Sequence, residues 1–408
     1  MDLHDILKPI STSTFLRDYL GKQFLYINGE PEKLGDILPW EALNTLINFH
    51  QFAGLRLRLM KEAQLVPPES YLSAHSNNRS ASHAVNSSAL ERHLRDGATL
   101  VLDAIDWLYE PISVIARNIE RLLRVDVQVN TYAGWRESPG LGLHWDRHDV
   151  LILQISGRKT WHVYEPTRLF PIQADTEPNE KPQADPISVT TLSAGDVLYI
   201  PRGWWHIAVP CGEPTLHLTV GLHSRTGADF AAWLINDVKK REIMRKDIPV
   251  LADTATLDSY LADVRTAIIE TCNDPEVLSK FLRHMTAVAK PRPKLGLPFA
   301  ATPRVLPDSD AYLICSMIPR EGAMAEGTDG LIEVSFAGKA HKFVPECRRL
   351  LEYVDNGTPV EIRSFYDTFE KEFGEEKLTQ VLLDLATTGI IAFQEPQPLH
   401  AVSHGHGQ

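Results

Sequence analysis

Between Val125 and Leu222 the chain breaks into short β-prone runs separated by turn signals. That pattern constrains the fold more than any other feature. Val125, Val127 and Val129 alternate with Asp126, Gln128 and Asn130, which gives one apolar and one polar face, as in a half-buried strand. Further runs follow at 150–155, 160–164, 187–191, 197–200 and 216–222, with turns at Ser156-Gly157 and Ala194-Gly195-Asp196. Many short strands in series close most readily into a double-sheet jelly roll. A helix leads into them. Ile112, Ile115, Ala116, Ile119, Leu122 and Leu123 share one face, and Pro111 suits its first turn. The chain is expected to be mainly β with α additions.

The flanks are of other kinds. Residues 1–50 read as short helices around one strand, with Thr14 capping a helix over 15–20, a strand at 24–27 and a helix starting near Pro39. The Ser-, Asn-, Pro- and His-rich stretch 66–88 reads as a long surface loop, placed to act as a lid. From Ala228 to Ala289 the pattern is helical again. Residues 290–298 form a Pro-rich linker, 305–396 a small mixed domain, and the His-Gly tail a disordered end.

Composition narrows the function. With 408 residues, two or three domains are expected. The net charge of −12 argues against a protein that coats nucleic acid, which needs surplus Lys and Arg. Four cysteines without a C-x-x-C pair point to free thiols in a reducing compartment. The first residues lack the apolar core of a signal peptide, and no apolar run is long enough to span a membrane. A cytoplasmic protein is the expectation.

The chemistry gathers at three residues. In Gly142-Leu-His-Trp-Asp-Arg-His-Asp149, His144 and Asp146 lie two apart, so on a strand both would face one side. His206 ends the run Gly195-Asp-Val-Leu-Tyr-Ile-Pro-Arg-Gly-Trp-Trp-His206. Two imidazoles and one carboxylate on one face leave three coordination positions open, which suits non-haem iron(II). Zinc or manganese remain alternatives. His148 beside Asp149 has the wrong spacing for a paired ligand, and His162 and His217 read as core or pocket groups, with His217 also a candidate contact to a co-substrate. His404 and His406 lie on the tail and offer no preorganised site. Lys159 opens a strand two residues before Trp161. A cation inside an apolar barrel needs an anionic partner, and a dicarboxylate co-substrate would supply one. Arg158, one residue away, should point outward.

The segments 144–150, 154–161 (Gln-Ile-Ser-Gly-Arg-Lys-Thr-Trp), 195–203 with His206, and 216–221 (Leu-His-Leu-Thr-Val-Gly) resemble the ribosomal oxygenases of the JmjC/cupin-4 group; residues 15–27 resemble it more loosely. The resemblance covers residues 10–225 and, by domain order, the whole chain. It implies a double-stranded β-helix (cupin/JmjC jelly roll) domain over 1–226, a helical dimerisation module over 227–296, a winged-helix-like domain over 297–396 and a disordered tail over 397–408. It also implies Fe(II), 2-oxoglutarate and O2, with hydroxylation of an Arg or His side chain in a ribosomal protein. By position His144, Asp146 and His206 match the iron ligands. Lys159 matches the cation that holds the distal carboxylate of 2-oxoglutarate, and Asn130 matches a polar residue of the same pocket, with Tyr132 beside it. Trp145, Arg147-His148 and Trp204-Trp205 depart from the group's pattern, at positions expected to rim the substrate mouth. Hydroxylation of a precursor peptide, side-chain demethylation, and a non-catalytic ligand-sensing regulator are the competing readings.

Overall fold

The protein is described here from a computed structural model, which covers residues 1–49, 56–77, 80–172, 174–175, 180–292, 295–301, 305–327 and 329–396. The expected tail over 397–408, with His404 and His406, lies outside the described residues, as does part of the linker. The chain forms two compact units, Met1–Thr226 and a second beginning at Gly227.

The first unit carries helices α1 (Leu3–Leu7), α2 (Thr12–Thr14), α3 (Trp40–Phe49), α4 (Ser87–Arg95) and α5 (Glu110–Leu123). Its strands are β1 (Leu25–Ile27), β2 (Leu57–Lys61), β3 (Gln64–Leu65), β4 (Leu72–Asn77), β5 (Ser80–Val85), β6 (Thr99–Leu102), β7 (Asp126–Gly134), β8 (Asp149–Ser156), β9 (Lys159–Tyr164), β10 (Ser188–Leu192), β11 (Val197–Ile200), β12 (Trp205–Pro210) and β13 (Thr215–His223). The major sheet has the order β1-β11-β8-β13-β7-β6-β2-β3 and the minor sheet β10-β9-β12. Every pairing in both is antiparallel.

Strand alternation decides which side chains meet which layer. On β13, Leu216, Leu218, Val220 and Leu222 enter a core that includes Leu3, Ile6 and Leu7 of α1, Leu43 and Leu46 of α3, and Ile112, Ile115 and Ile119 of α5. The residues between them, such as His217 and Thr219, turn to the other face and line a cavity. β7 divides likewise, with Val127, Val129 and Ala133 to the core and Asn130 and Tyr132 to the cavity. α5 ends where Arg124 adopts a left-handed conformation (φ 55°), and its Glu120 Oε1 accepts the Val127 N–H at 3.1 Å, seating the helix on β7.

Three expectations are corrected. Residues 66–88 are not one long loop: β4 and β5 form a hairpin in which Leu72 faces Val85. Polar residues with little apolar signal pair here through backbone hydrogen bonds, which composition does not reveal. The N-terminal cap is Ser11, whose Oγ accepts the Thr14 N–H at 3.1 Å, and the turn beyond Thr14 is π-helical over Phe15–Tyr19. Strands β2, β3, β6 and β12 fall where the sequence pattern predicts none.

The second unit starts with α6 (Gly227–Val238), α7 (Thr254–Cys272) and α8 (Val277–Val288). It continues with β14 (Leu313–Ser316), β15 (Met324–Glu326), β16 (Ile332–Phe336), β17 (Lys339–Phe343), α9 (Arg348–Val354), β18 (Val360–Glu361), α10 (Ile362–Phe373), α11 (Glu375–Thr387) and β19 (Ile391–Gln394). Two three-stranded sheets result, β18-β14-β19 and β15-β16-β17, around a core that includes Ile314, Phe365, Phe369, Leu378 and Leu382. Phe230 and Trp233 of α6 pack on Phe281 of α8 at 5.3 and 5.5 Å between ring centroids. The alanines 228, 231 and 232 and Ile235 stay exposed. All four cysteines are free. Among the described residues no helix is long and apolar enough to cross a membrane.

Candidate metal centre

Two chain segments meet at the mouth of the β-helix. His144 forms an isolated antiparallel bridge with His206. The His144 N–H donates to the His206 carbonyl at 3.1 Å, and the His206 N–H returns the bond at 2.8 Å. His144 and Asp146 therefore do not lie on a continuous strand, as expected from their spacing. They sit in the segment before β8, and the bridge to β12 holds them in place. The ligand atoms of His144, Asp146 and His206 lie within 4.8 Å of one another, with His206 Nε2 3.5 Å from Asp146 Oδ2.

Both imidazoles are oriented by the backbone. The Gly142 carbonyl lies 2.8 Å from His144 Nδ1 and the Trp204 carbonyl 3.1 Å from His206 Nδ1. A carbonyl only accepts, so each Nδ1 carries the proton and each Nε2 lone pair is free to bind a metal. Burial, reinforced by neighbouring His144, pushes His206 down to about 4, so it is neutral, the form a metal needs. Two nitrogens and one carboxylate oxygen on one side of a point suit a divalent transition metal with open positions.

The cavity below these residues has a volume of about 90 Å³. At roughly 15 Å³ per water position, that is room for about six waters or one small dicarboxylate. Its lining brings together all seven residues singled out in the sequence: His144, Asp146, His206, Lys159, Asn130, Tyr132 and His217. Lys159 is 4% exposed, and among the described residues no carboxylate pairs with it. Burial pushes its ammonium down to about 7. It enters the barrel because β9 alternates, with Lys159, Trp161 and Val163 inward, while Arg158 faces out to Glu213. The turn before it depends on Gly157, at φ +65°, where a Cβ would stand 2.1 Å from the Pro214 carbonyl oxygen.

The remaining polar groups are held unequally. Asn130 Oδ1 accepts the Ala104 N–H at 2.9 Å, and burial raises the pKa of the Tyr132 hydroxyl. His217 stacks on Tyr132 with ring centroids 4.9 Å apart. Burial, with the nearby Lys159 charge, holds it well below the usual histidine range. His217 Nδ1 and Trp161 Nε1 are buried without a hydrogen-bond partner among the described residues. A buried polar atom left unpaired is costly, so a lone cation beside two unmet polar atoms forms a cradle that a small anion completes.

Other expected residues lie elsewhere. His148 lines the cavity but stacks on His223 at 4.2 Å instead of joining the metal cluster. His162 falls on the half-exposed face of β9. Trp205 is not at a rim: it is 4% exposed and donates to Thr167 Oγ1 at 2.9 Å, while Trp204 packs on Phe24. Trp205 thus packs inside the fold, not at the substrate mouth where the expectation places it. Sequence reasoning missed Thr99, Trp161, Ala208 and Thr219, which also line the cavity. Period-two counting from Lys159, His206 and His217 reaches the last three. Thr99 arrives through the β6–β7 pairing and carried no local signal.

A double-stranded β-helix bearing two histidines and one carboxylate around a single point defines the class, and residues 106–230 match the family model of the JmjC domain. This segment is similar to the JmjC domain, and the curated proteins it resembles include ribosomal oxygenases. The chain is 24% identical over 268 residues to the bifunctional lysine-specific demethylase and histidyl-hydroxylase NO66 of Drosophila pseudoobscura pseudoobscura, covering 61% of this chain and 26% of that protein. It is 36% identical over 107 residues to ribosomal oxygenase 1 of Homo sapiens, covering 25% and 16%. The chain thus matches less than half the length of these curated relatives. Among solved structures, Escherichia coli ycfD superposes with a TM-score of 0.58 at 18% identity, over 94% of this chain and 98% of that one. The ribosomal oxygenase YcfD in complex with cobalt and 2-oxoglutarate gives 0.55 at 19% identity, over 95% and 99%. At these identities the structural likeness establishes the fold.

Proposed function

We propose that this protein is an Fe(II)- and 2-oxoglutarate-dependent oxygenase that hydroxylates an amino-acid side chain, Arg or His, of a ribosomal protein or another polypeptide. The observation that carries this reading is the buried Lys159, with no carboxylate partner among the described residues, in the same cavity as the His144, Asp146 and His206 set. When bound, iron with O2 and 2-oxoglutarate supplies the oxidation that puts one oxygen atom into the substrate C–H bond and the other into succinate, with release of carbon dioxide. His144, Asp146 and His206 would hold the metal. Lys159 pairs with the distal carboxylate of 2-oxoglutarate, a charge-assisted contact of the stronger kind. His217 and Asn130 add polar contacts, and Tyr132 keeps the His217 ring flat against the wall. The surrounding apolar residues, such as Val150, Ile152 and Ala208, exclude water from the cavity.

The net charge of −12 favours a basic polypeptide over a phosphate backbone. The names of the NO66 relatives join hydroxylation with lysine demethylation, so demethylation is the second reading for the same site. A ribosomally made precursor peptide is a third, as an alternative substrate of the same hydroxylation. The helical part of the second unit serves as a homodimerisation module and the following segment as a winged-helix-like domain, in a cytoplasmic enzyme.

The test is to incubate the protein, Fe(II) and 2-oxoglutarate with ribosomal proteins and basic peptides, following succinate and product mass. One added oxygen supports hydroxylation and loss of a methyl group supports demethylation. No metal-dependent succinate with any substrate defeats the oxygenase reading and leaves a non-catalytic, ligand-sensing module.

A further inference from the structure

Between β11 and β12 lies a four-residue turn, Pro201-Arg202-Gly203-Trp204, that contributes no metal ligand. It is closed by a Trp204 N–H to Pro201 carbonyl bond of 3.3 Å, and Gly203 at φ +83° gives it the type II form, in which the third residue has positive φ. Two of its backbone groups touch the proposed metal ligands. The Gly203 N–H donates to the Asp146 carbonyl at 2.8 Å, and the Trp204 carbonyl sets the His206 tautomer.

The turn is in turn tied down by one buried carboxylate. Asp149 is 6% exposed. Its Oδ1 accepts the Arg202 N–H at 2.9 Å and its Oδ2 accepts the Tyr199 hydroxyl at 2.6 Å. Tyr199, fully buried, itself accepts the Gly21 N–H at 2.6 Å. The Arg202 side chain points elsewhere, with its guanidinium 5.6 Å from the Phe170 ring centroid. The link from Asp149 to the turn therefore runs through one backbone N–H and not through an ion pair.

We infer that Asp149 is a positioning residue for the metal centre: by holding the Arg202 N–H it locks the turn that fixes both the Asp146 backbone and the His206 imidazole. This inference rests on the three residues being a metal site. The contact to Tyr199 anchors the carboxylate to the core, and the contact to Arg202 transmits that anchorage to the ligands. Metal affinity follows the second contact, whereas thermal stability follows both.

The backbone N–H can be removed alone. Position 202 is the second residue of a type II turn, where proline is favoured. Arg202→Pro therefore keeps the turn and deletes the donor, and Arg202→Ala deletes the side chain and keeps the donor. Cobalt(II) is titrated into the metal-free protein, with the visible spectrum as readout. Groups that orient metal ligands from behind are worth about 10- to 100-fold in affinity, so Arg202→Pro should weaken cobalt binding by at least about tenfold with a changed spectrum, and Arg202→Ala by no more than about twofold. Tyr199→Phe should melt at a lower temperature but bind cobalt nearly as the unmodified protein does. Equal cobalt affinity in the proline and alanine variants overturns the inference, as does a loss in Tyr199→Phe as large as that in Arg202→Pro. If the proline variant does not fold, Asp149→Ala is compared with Asp149→Asn, which retains an acceptor for the N–H. The alanine must bind at least about tenfold more weakly, and equal affinities overturn the proposal. Failure of the unmodified protein to bind cobalt would instead sink the metal-site reading itself.

Discussion

His144 and His206 exchange both backbone hydrogen bonds, at 3.1 and 2.8 Å, and their rings approach to 4.4 Å between centroids. The pair is thus built by main chain first, and the imidazoles inherit their spacing from it. A side-chain substitution at either position should leave the bridge and take only the ligand.

Accordingly, His144→Ala and His206→Ala should each abolish tight Fe(II) or Co(II) binding and metal-dependent succinate formation, with circular dichroism unchanged. His148→Ala should retain the metal, since His148 is engaged with His223. Metal content after gel filtration checks both. If His148→Ala lost its metal while His144→Ala kept it, the ligand set would have to be redrawn.

Lys159 predicts opposite pH trends with and without co-substrate. In the ligand-free fold its ammonium is pushed down to about 7, against an ordinary value of 10.5. Between those two values the unfolded chain binds more protons, so stability of the ligand-free protein should rise with pH across that window. Affinity for 2-oxoglutarate should fall over the same range, because the anion needs the charged form. In Lys159→Met both slopes should flatten and 2-oxoglutarate binding should weaken at neutral pH, with metal still bound. Calorimetric titration at several pH values, with urea denaturation alongside, measures these differences.

A third prediction concerns the wall of the cavity. Arg58 grips Asp103 through two hydrogen bonds of 2.6 and 2.8 Å, and the next residue, Ala104, is held by Asn130. Both charged side chains are less than a third exposed, at 28% and 23%. Arg58→Ala should destabilise the fold by about 2 kcal/mol, the usual worth of a charged hydrogen bond, read as a shift of the urea midpoint.

The second unit exposes one face of α6, where Ile235 is 40% exposed and the alanines 228, 231 and 232 are also uncovered. If a second copy covers this face, light scattering at micromolar concentration should give a dimer mass. Ile235→Asp should then shift it to the monomer without loss of helix content. A monomer mass for the unmodified chain would remove the dimer from the proposal.

The sequence alone determined the alphabet of the site and the face on which much of it appears. Period-two alternation carries Lys159 with Trp161, and Asn130 with Tyr132, to the inside of the barrel, because successive strand residues point to opposite faces. The residue types of His144, Asp146 and His206 likewise named the chemistry. Only the tertiary structure decided the rest. It paired His144 with His206, brought Thr99 against the cavity, turned Trp205 into packing, and set Asp149 on the Arg202 N–H. These depend on hydrogen bonds and contacts between segments distant in the chain. Every non-proline residue carries the same backbone donor and acceptor, so the choice of partner leaves no mark in side-chain identity. It emerges when the two sheets close and the buried polar groups must find the neighbours that closure supplies.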